Sequence, residues 1–369
     1  MASSKTRATS YKSAVDRATH LARALDHPPD GTMPDPAEYT LNQNGIPPYE
    51  SLPLRKSDPF VAAWGLYGKD DELGTLNRLT PARVVAAARE IQSGNRVGLD
   101  WALSGNLISN KPFYSRQGFK LDVVRHLAGC GNDDVWTFNP QASTQWDGLR
   151  HVGFAKEQLF YNGVNMDQIH EADSKGHKST VNGVHAWAKK GIVGRGVLVD
   201  YHNWRIKNHK WPDFDAFGTC RIPVSDLQEC LADHGTEIHF GDILFVRTGF
   251  MHAMASKTVE ELKDIQNRRY EDVKFCGVDT TSELLKWIWE NFSAVAGDQP
   301  AFEAWPFKGP ESLHTACLAS WGCPIGELFD LEALAQQCQE ENRWSFFLTS
   351  EPCNVPGAVA TPPNALAIF

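Results

Sequence analysis

The chain has 369 residues, 42% of them hydrophobic and 22% charged, with a formal net charge of −9. That suffices for one large core or two ordinary ones, and the acidic balance excludes nucleic acid or an anionic membrane as the main partner. No run of about 18 apolar residues is present to span a membrane, and the first twenty residues lack a signal-peptide core. The eight cysteines form no CxxC pair, so neither a zinc ribbon nor a thioredoxin-like site is expected. They read as reduced and mostly buried, in an intracellular, cytoplasmic protein. The sequon Asn291-Phe292-Ser293 then goes unused.

Residues 1–45 read as an N-terminal arm, with one helix over 12–25 and a stretch rich in Pro, Gly and Asp from His27 to Pro48. Such an arm wraps its own domain, wraps a neighbouring subunit, or stays disordered. Residues 46–369 show no linker or repeat and read as a single catalytic domain. Thr80-Pro81 opens a helix with a cap and a first-turn proline, its apolar face being Val84, Val85, Ala88 and Ile91, and Gly94 ends it. A strand is expected over Gly196–Asp200. Ser225 with Gln228 predicts a capping box, as does Thr258 with Glu261. Another strand is expected over Ile243–Arg247 after the turn Gly241-Asp242. Leu284, Leu285, Trp287, Ile288 and Phe292 keep helical period. Phe346–Leu348 and Ala365–Phe369 are weaker strand candidates. The pattern is that of a mixed α/β enzyme.

The commonest nucleotide and peptidase motifs are absent: there is no GxSxG elbow, no phosphate loop, no GxGxxG after a strand and no HExxH. What stands out instead is Gln141-Ala-Ser-Thr-Gln145-Trp-Asp147-Gly-Leu-Arg-His151. In an extended chain Gln141, Gln145, Asp147 and His151 share one face. Ten straight residues would span about 33 Å, so one site needs a bend, and Asp147-Gly148 is the natural place. The plainer reading is a polar strand face beside a turn, with Trp146 and Leu149 on its buried side. A second cluster lies later in the chain. His314 opens an apolar stretch ended by Gly322 and Pro324, Glu327 follows, and Asp330 could cap a helix from Leu331 to Gln337. A helix–turn–helix there would bring His314 and Glu327 to one point; otherwise they are two surface residues.

These segments together resemble the putative cyclase family, which includes bacterial kynurenine formamidase and isatin hydrolase. Gln141 to His151 is similar to its H-x-G-T-H-x-D-x-P-x-H motif through Thr144, Asp147 and His151. His314 to Leu331 resembles its later His and G-x-P-x-x-E motif. Gly194–Asp200 and Gly241–Gly249 resemble two of its strands, and Trp64-Gly65 with Leu73–Asn77 its N-terminal substrate side. The resemblance implies an α/β fold, a swivelling β/β/α domain with mixed sheets, and a homodimer or homotetramer. It implies hydrolysis of a small cyclic or aromatic amide, lactam or lactone by metal-activated water. It places Asp147, His314 and Glu327 at ligand positions, with help from Gln145, and His151 at the proton shuttle. Trp64 stands near a substrate-contact position.

Gln141 and Gln145 stand where the family has histidine. A carboxamide is a weak ligand for zinc or manganese, so one divalent ion, manganese or zinc, is expected at most. Two mechanisms follow. In the first, the ion activates water and His151 shuttles the proton, with Asp147 and Glu327 beside it. In the second, no metal takes part: Gln141 and Gln145 donate to a substrate carbonyl, and His151 with Glu327 forms the acid–base pair of a lyase, isomerase or ring-closing cyclase. A binding protein without turnover is a third reading. Trp64, Trp146 and Tyr161, with Gln141 and Gln145, are candidate walls for a flat small molecule. Trp136, His126, His185 and His202 are weaker candidates.

Overall fold

Residues 40–105, 114, 116–127, 129–309 and 311–369 are described by the computed structural model. Residues 1–39 of the expected arm, with the helix expected over 12–25, lie outside the described residues.

Short β-prone runs build a nine-stranded mixed sheet. Its central strands β5 (Ile192–Val199), β7 (Asp242–Val246), β9 (Phe292–Gly297) and β10 (Ile325–Glu327) run parallel to one another. On one side of them β11 (Ser345–Ser350), β13 (Ala365–Ile368) and β1 (Arg96–Gly98) continue antiparallel. On the other side lie β4 (Gln145–Asp147) and the edge strand β12 (Ala360–Thr361). Two further pairs stand apart: the hairpin β2 (Lys120–Leu127) with β3 (Gly131–Thr137), and β6 (Arg221–Ile222) with β8 (Gly277–Val278).

The central strands are buried on both faces, as parallel strands usually are. Along β7, Ile243 and Phe245 enter one core cluster with Leu198, Phe346 and Trp146. Leu244 and Val246 enter the other, with Val197, Val199, Trp204, Leu227 and Leu284. Helices therefore cover one face; the amphipathic helix Ser282–Asn291 buries Leu284, Leu285, Trp287 and Ile288 there. The sequon at Asn291 lies at the junction of this helix and β9, with Phe292 and Ser293 buried.

Several local expectations hold. Thr80 caps Pro81–Ala87 by accepting from the Arg83 amide, and Thr258 and Glu261 form their capping box. Others do not. The helix at 224–233 is preceded by Pro223 and has no side-chain cap bond, so the Ser225–Gln228 box is not formed. The face expected of Val84, Val85, Ala88 and Ile91 is not a core face, since Val85 and Ile91 are exposed; the α-helix stops at Ala87 and tightens into a 3₁₀ turn over Ala88–Glu90. All eight cysteines are free, and six of them are buried. Among the described residues no helix is long and apolar enough to cross a membrane.

Candidate active site

The site forms where β4 and β10 lie side by side. Their antiparallel register sets Gln145 opposite Glu327 and Asp147 opposite Ile325. Gln145 and Asp147 alternate with Trp146, so they share one face and Trp146 takes the other. The extended run is shorter than expected, covering only Gln145–Asp147. Gln141 sits instead on a 3₁₀ turn, Pro140–Ala142, capped by the Asn139 side chain, which accepts from the Gln141 amide. The chain folds back at both ends of the strand, and that brings Gln141 and His151 to Asp147.

Gly148, where the chain leaves β4, has no room for a side chain. A Cβ there would lie 2.5 Å from both Val184 Cγ1 and the Val359 carbonyl oxygen. Those contacts are far inside van der Waals range, so Gly148→Ala is expected to lower stability by roughly 1–3 kcal/mol. A urea unfolding midpoint equal to that of the wild type would refute this account.

His314 immediately precedes a π-helix over Thr315–Trp321 that ends at left-handed Gly322. The segment is not the expected helix–turn–helix. After the turn the chain enters the sheet as β10, so Glu327 lies on a strand, and the next helix begins only at Glu332. Asp330 does not serve as its side-chain cap in the expected way; Leu331 is the cap residue, although Asp330 Oδ1 accepts from the Glu332 amide.

The side chains converge. Gln141 Nε2 donates to Asp147 Oδ1 at 2.6 Å and lies 3.3 Å from both ring nitrogens of His151. His151 Nε2 is 3.7 Å from Asp147 Oδ2, and His314 Nε2 is 3.9 Å from that same oxygen. His314 Nε2 is also 3.0 Å from Glu327 Oε1, while Gln145 Nε2 donates to Glu327 Oε2 at 2.7 Å. Asp147, Gln145, Glu327 and His314 are buried, and the His151 side chain keeps 22% of its surface exposed. His151 therefore stands at the mouth, and the carboxylates form the floor.

Charge at the floor is set by neighbours. Burial opposes a proton on His314, but Glu303 and Glu327 outweigh it and hold the imidazole well above its ordinary pKa. Burial, with the Asp147 carboxylate adding to it, pushes Glu327 up to about 7. Burial lowers His151, helped by His314 and Arg116 and opposed by Asp147. At neutral pH His151 is thus a neutral imidazole, able to accept a proton.

The donor set suits one cation. One ligand atom from each of Asp147, His151 and His314 falls within 4.8 Å of the others. Asp147 Oδ2 and Gln145 Oε1 are buried without a hydrogen-bond partner, and such acceptors attract a cation. This geometric trio has His151 where the sequence placed Glu327; Glu327 meets His314 beside it. The Nε2 atoms of Gln141 and Gln145 already donate to the two carboxylates, which leaves little for a second ion.

Other candidates lie elsewhere. Trp146 is wholly buried on the opposite face, donating to Ser350 Oγ and packed on Phe329. Trp64 donates to the Ala319 carbonyl and packs on Phe154 in the core. Tyr161 is buried and donates to Asp71 Oδ2. The structure thus places these three rings in the core, with their polar atoms engaged, rather than on the open side of the site. Trp136 and His126 are on the exposed hairpin, His185 accepts from the Gly357 amide, and His202 faces His252. Two residues that matter were not foreseen. Glu303 Oε2 lies 2.8 Å from His314 Nδ1, and Arg116 donates to the Gln141 carbonyl at 2.8 Å. Neither stands in a recognisable motif; only the fold brings them here.

Comparison with known proteins agrees with this architecture. A family model described as Cyclase: Putative cyclase matches residues 102–304. The crystal structure of a novel cyclase is 30% identical, superposes with a TM-score of 0.70, and covers 84% of this chain and 99% of its own. Isatin hydrolase A from Ralstonia solanacearum shares the fold at 18% identity and TM-score 0.50, over 78% of this chain and 97% of its own. An isatin hydrolase bound to the product analogue thioisatinate does so at 11% identity and TM-score 0.50, over 78% and 95%. The curated proteins contain no sequence match.

Proposed function

The chain belongs to the putative cyclase family, and from that premise we propose that it hydrolyses a small cyclic or aromatic amide, lactam or lactone. The observation that carries this reading is the placement of His151: a partly exposed imidazole, with its Nε2 3.7 Å from Asp147, over a buried acidic floor. A hydrolase needs a base at the mouth, where water and substrate arrive, and a polar floor that fixes the carbonyl. His151 takes a proton from the attacking water and returns it to the leaving nitrogen or oxygen as the ring bond breaks. Asp147 and Gln141 hold the imidazole in place.

One divalent ion would be held by Asp147 and His314, with His151, Glu327 and Gln145 adjoining; bound there, it supplies a Lewis acid for the carbonyl and acidifies water. The acting unit in this reading is a homodimer or homotetramer, which light scattering of the purified chain checks.

A second reading rests on the amides. Both site carboxylates already accept from Gln141 and Gln145, an arrangement that also suits metal-free acid–base chemistry by His151 and Glu327, as in a lyase, isomerase or cyclase. Two measurements separate the readings. Protein purified without chelator is expected to carry about one manganese or zinc ion per chain and to lose turnover in chelator. Absence of metal, with turnover kept in chelator, overturns the metal arm. A panel of lactams, lactones and aryl formamides, isatin included, followed by absorbance and mass, tests hydrolysis itself. Products lacking the added mass of water overturn it.

A further inference from the structure

We propose that Glu303 is a positioning residue: it holds Nδ1 of His314 and thereby directs Nε2 of that ring at Asp147 and Glu327. The claim about ring orientation stands on geometry alone; only its expected effect on metal affinity rests on the reading above.

Glu303 is almost wholly buried, and its Oε2 lies 2.8 Å from His314 Nδ1. Its backbone cannot drift. Val278 donates to the Phe302 carbonyl at 3.1 Å and accepts from the Ala304 amide at 3.0 Å, so Glu303 is bridged to β8. Gln299 Nε2 donates to the Phe302 carbonyl at 2.7 Å. Gly277 makes the approach feasible, since a Cβ there would lie 2.3 Å from the Glu303 carbonyl carbon. A carboxylate on so fixed a segment is a reference point for a neighbouring ring.

The other nitrogen of His314 shows the result. Nε2 is 3.0 Å from Glu327 Oε1 and 3.9 Å from Asp147 Oδ2. An imidazole anchored through one nitrogen presents the other in a fixed direction, and a carboxylate on the outer nitrogen fixes both tautomer and orientation. Glu303 meets the site through His314. It is therefore not a catalytic residue, and a change there should act through the ring.

The test uses the full chain, stripped with chelator and then titrated with Zn²⁺ alone or Mn²⁺ alone. E303L is expected to weaken ion affinity by roughly 10–100-fold. E303Q retains an acceptor of the same reach and is expected to weaken it less. Thermal midpoints show that both variants fold; should E303L fail to fold, E303Q decides. Wild-type affinity in the folded variants overturns the proposal, because a merely structural Glu303 would move stability and leave affinity unchanged. If the wild type binds neither ion, the metal reading fails by itself. Glu303 is then judged by ¹⁵N spectra of histidine-labelled protein, with His314 assigned through H314A. Altered His314 ring-nitrogen signals in E303Q support positioning, and signals identical to those of the wild type overturn it.

Discussion

His151→Ala is expected to lower turnover by about 10²–10⁴-fold, the range for loss of a general acid–base group, or roughly 3–5 kcal/mol of barrier. The substrate is whichever ring the hydrolysis panel identifies. Folding should be nearly untouched: His151 is only partly buried, and the Gln141–Asp147 hydrogen bond remains without it. The informative comparison is therefore kcat against the unfolding midpoint. Turnover within threefold of wild type in the folded variant would remove His151 from the chemistry and support a binding role. Asn at this position keeps polarity without basicity and should be as inactive as Ala.

Asp298→Ala should have the largest effect on stability. This carboxylate is fully buried and accepts from the Thr248 amide and hydroxyl at 2.7 Å each, and from the Gly249 amide at 2.9 Å. The Met251 amide donates more weakly at 3.4 Å; removing the carboxylate orphans these four buried donors, each costing about 1–3 kcal/mol, so a loss of roughly 3 kcal/mol or more is expected. Asp298→Asn keeps an acceptor oxygen and should lose less. Equilibrium urea unfolding measures both. Equal midpoints for Ala, Asn and wild type would mean that water replaces the carboxylate at no cost. The residue ties the end of β7 to the start of the segment that carries Glu303, so a partly loosened variant should also bind metal more weakly.

The sequence disclosed the scaffold unevenly. The β-rich runs at Gly196, Ile243 and Phe346 could be read because a doubly buried strand needs a continuous apolar run, whatever it pairs with. Alternation correctly put Gln145 and Asp147 on one face, whereas Gln141 and His151 reach Asp147 because the chain folds back on either side of β4. Alternation also assigns Trp146 to the side opposite Gln145 and Asp147; nearness in sequence was the misleading cue for Trp146. Trp64 was suggested by a resemblance and Tyr161 by aromatic content, and neither cue says where a ring turns. Glu327 was expected beside a helical turn, but β10 pairs with both β4 and β9, and such pairing is non-local. Glu303 was hidden for the same reason. Its position depends on Gly277 and Val278, some 25 residues earlier, and no spacing within its own segment reports that contact.

The π-wound segment Thr315–Trp321 constrains insertions and deletions here. A π turn holds one more residue than the α turn it replaces. Deleting a single residue from it, even a small one such as Ala316, would let the segment relax to α geometry. Because the wider turn exists to take up that one residue, the chain on either side would keep its mutual register, and His314 and Gly322 would stay where they are. A second deletion would come out of regular α-helix and rotate everything before it by about 100° relative to everything after it, carrying the ring of His314 away from Glu327 and Asp147. Homologous chains that keep this chemistry should therefore differ in length across this segment by at most one residue.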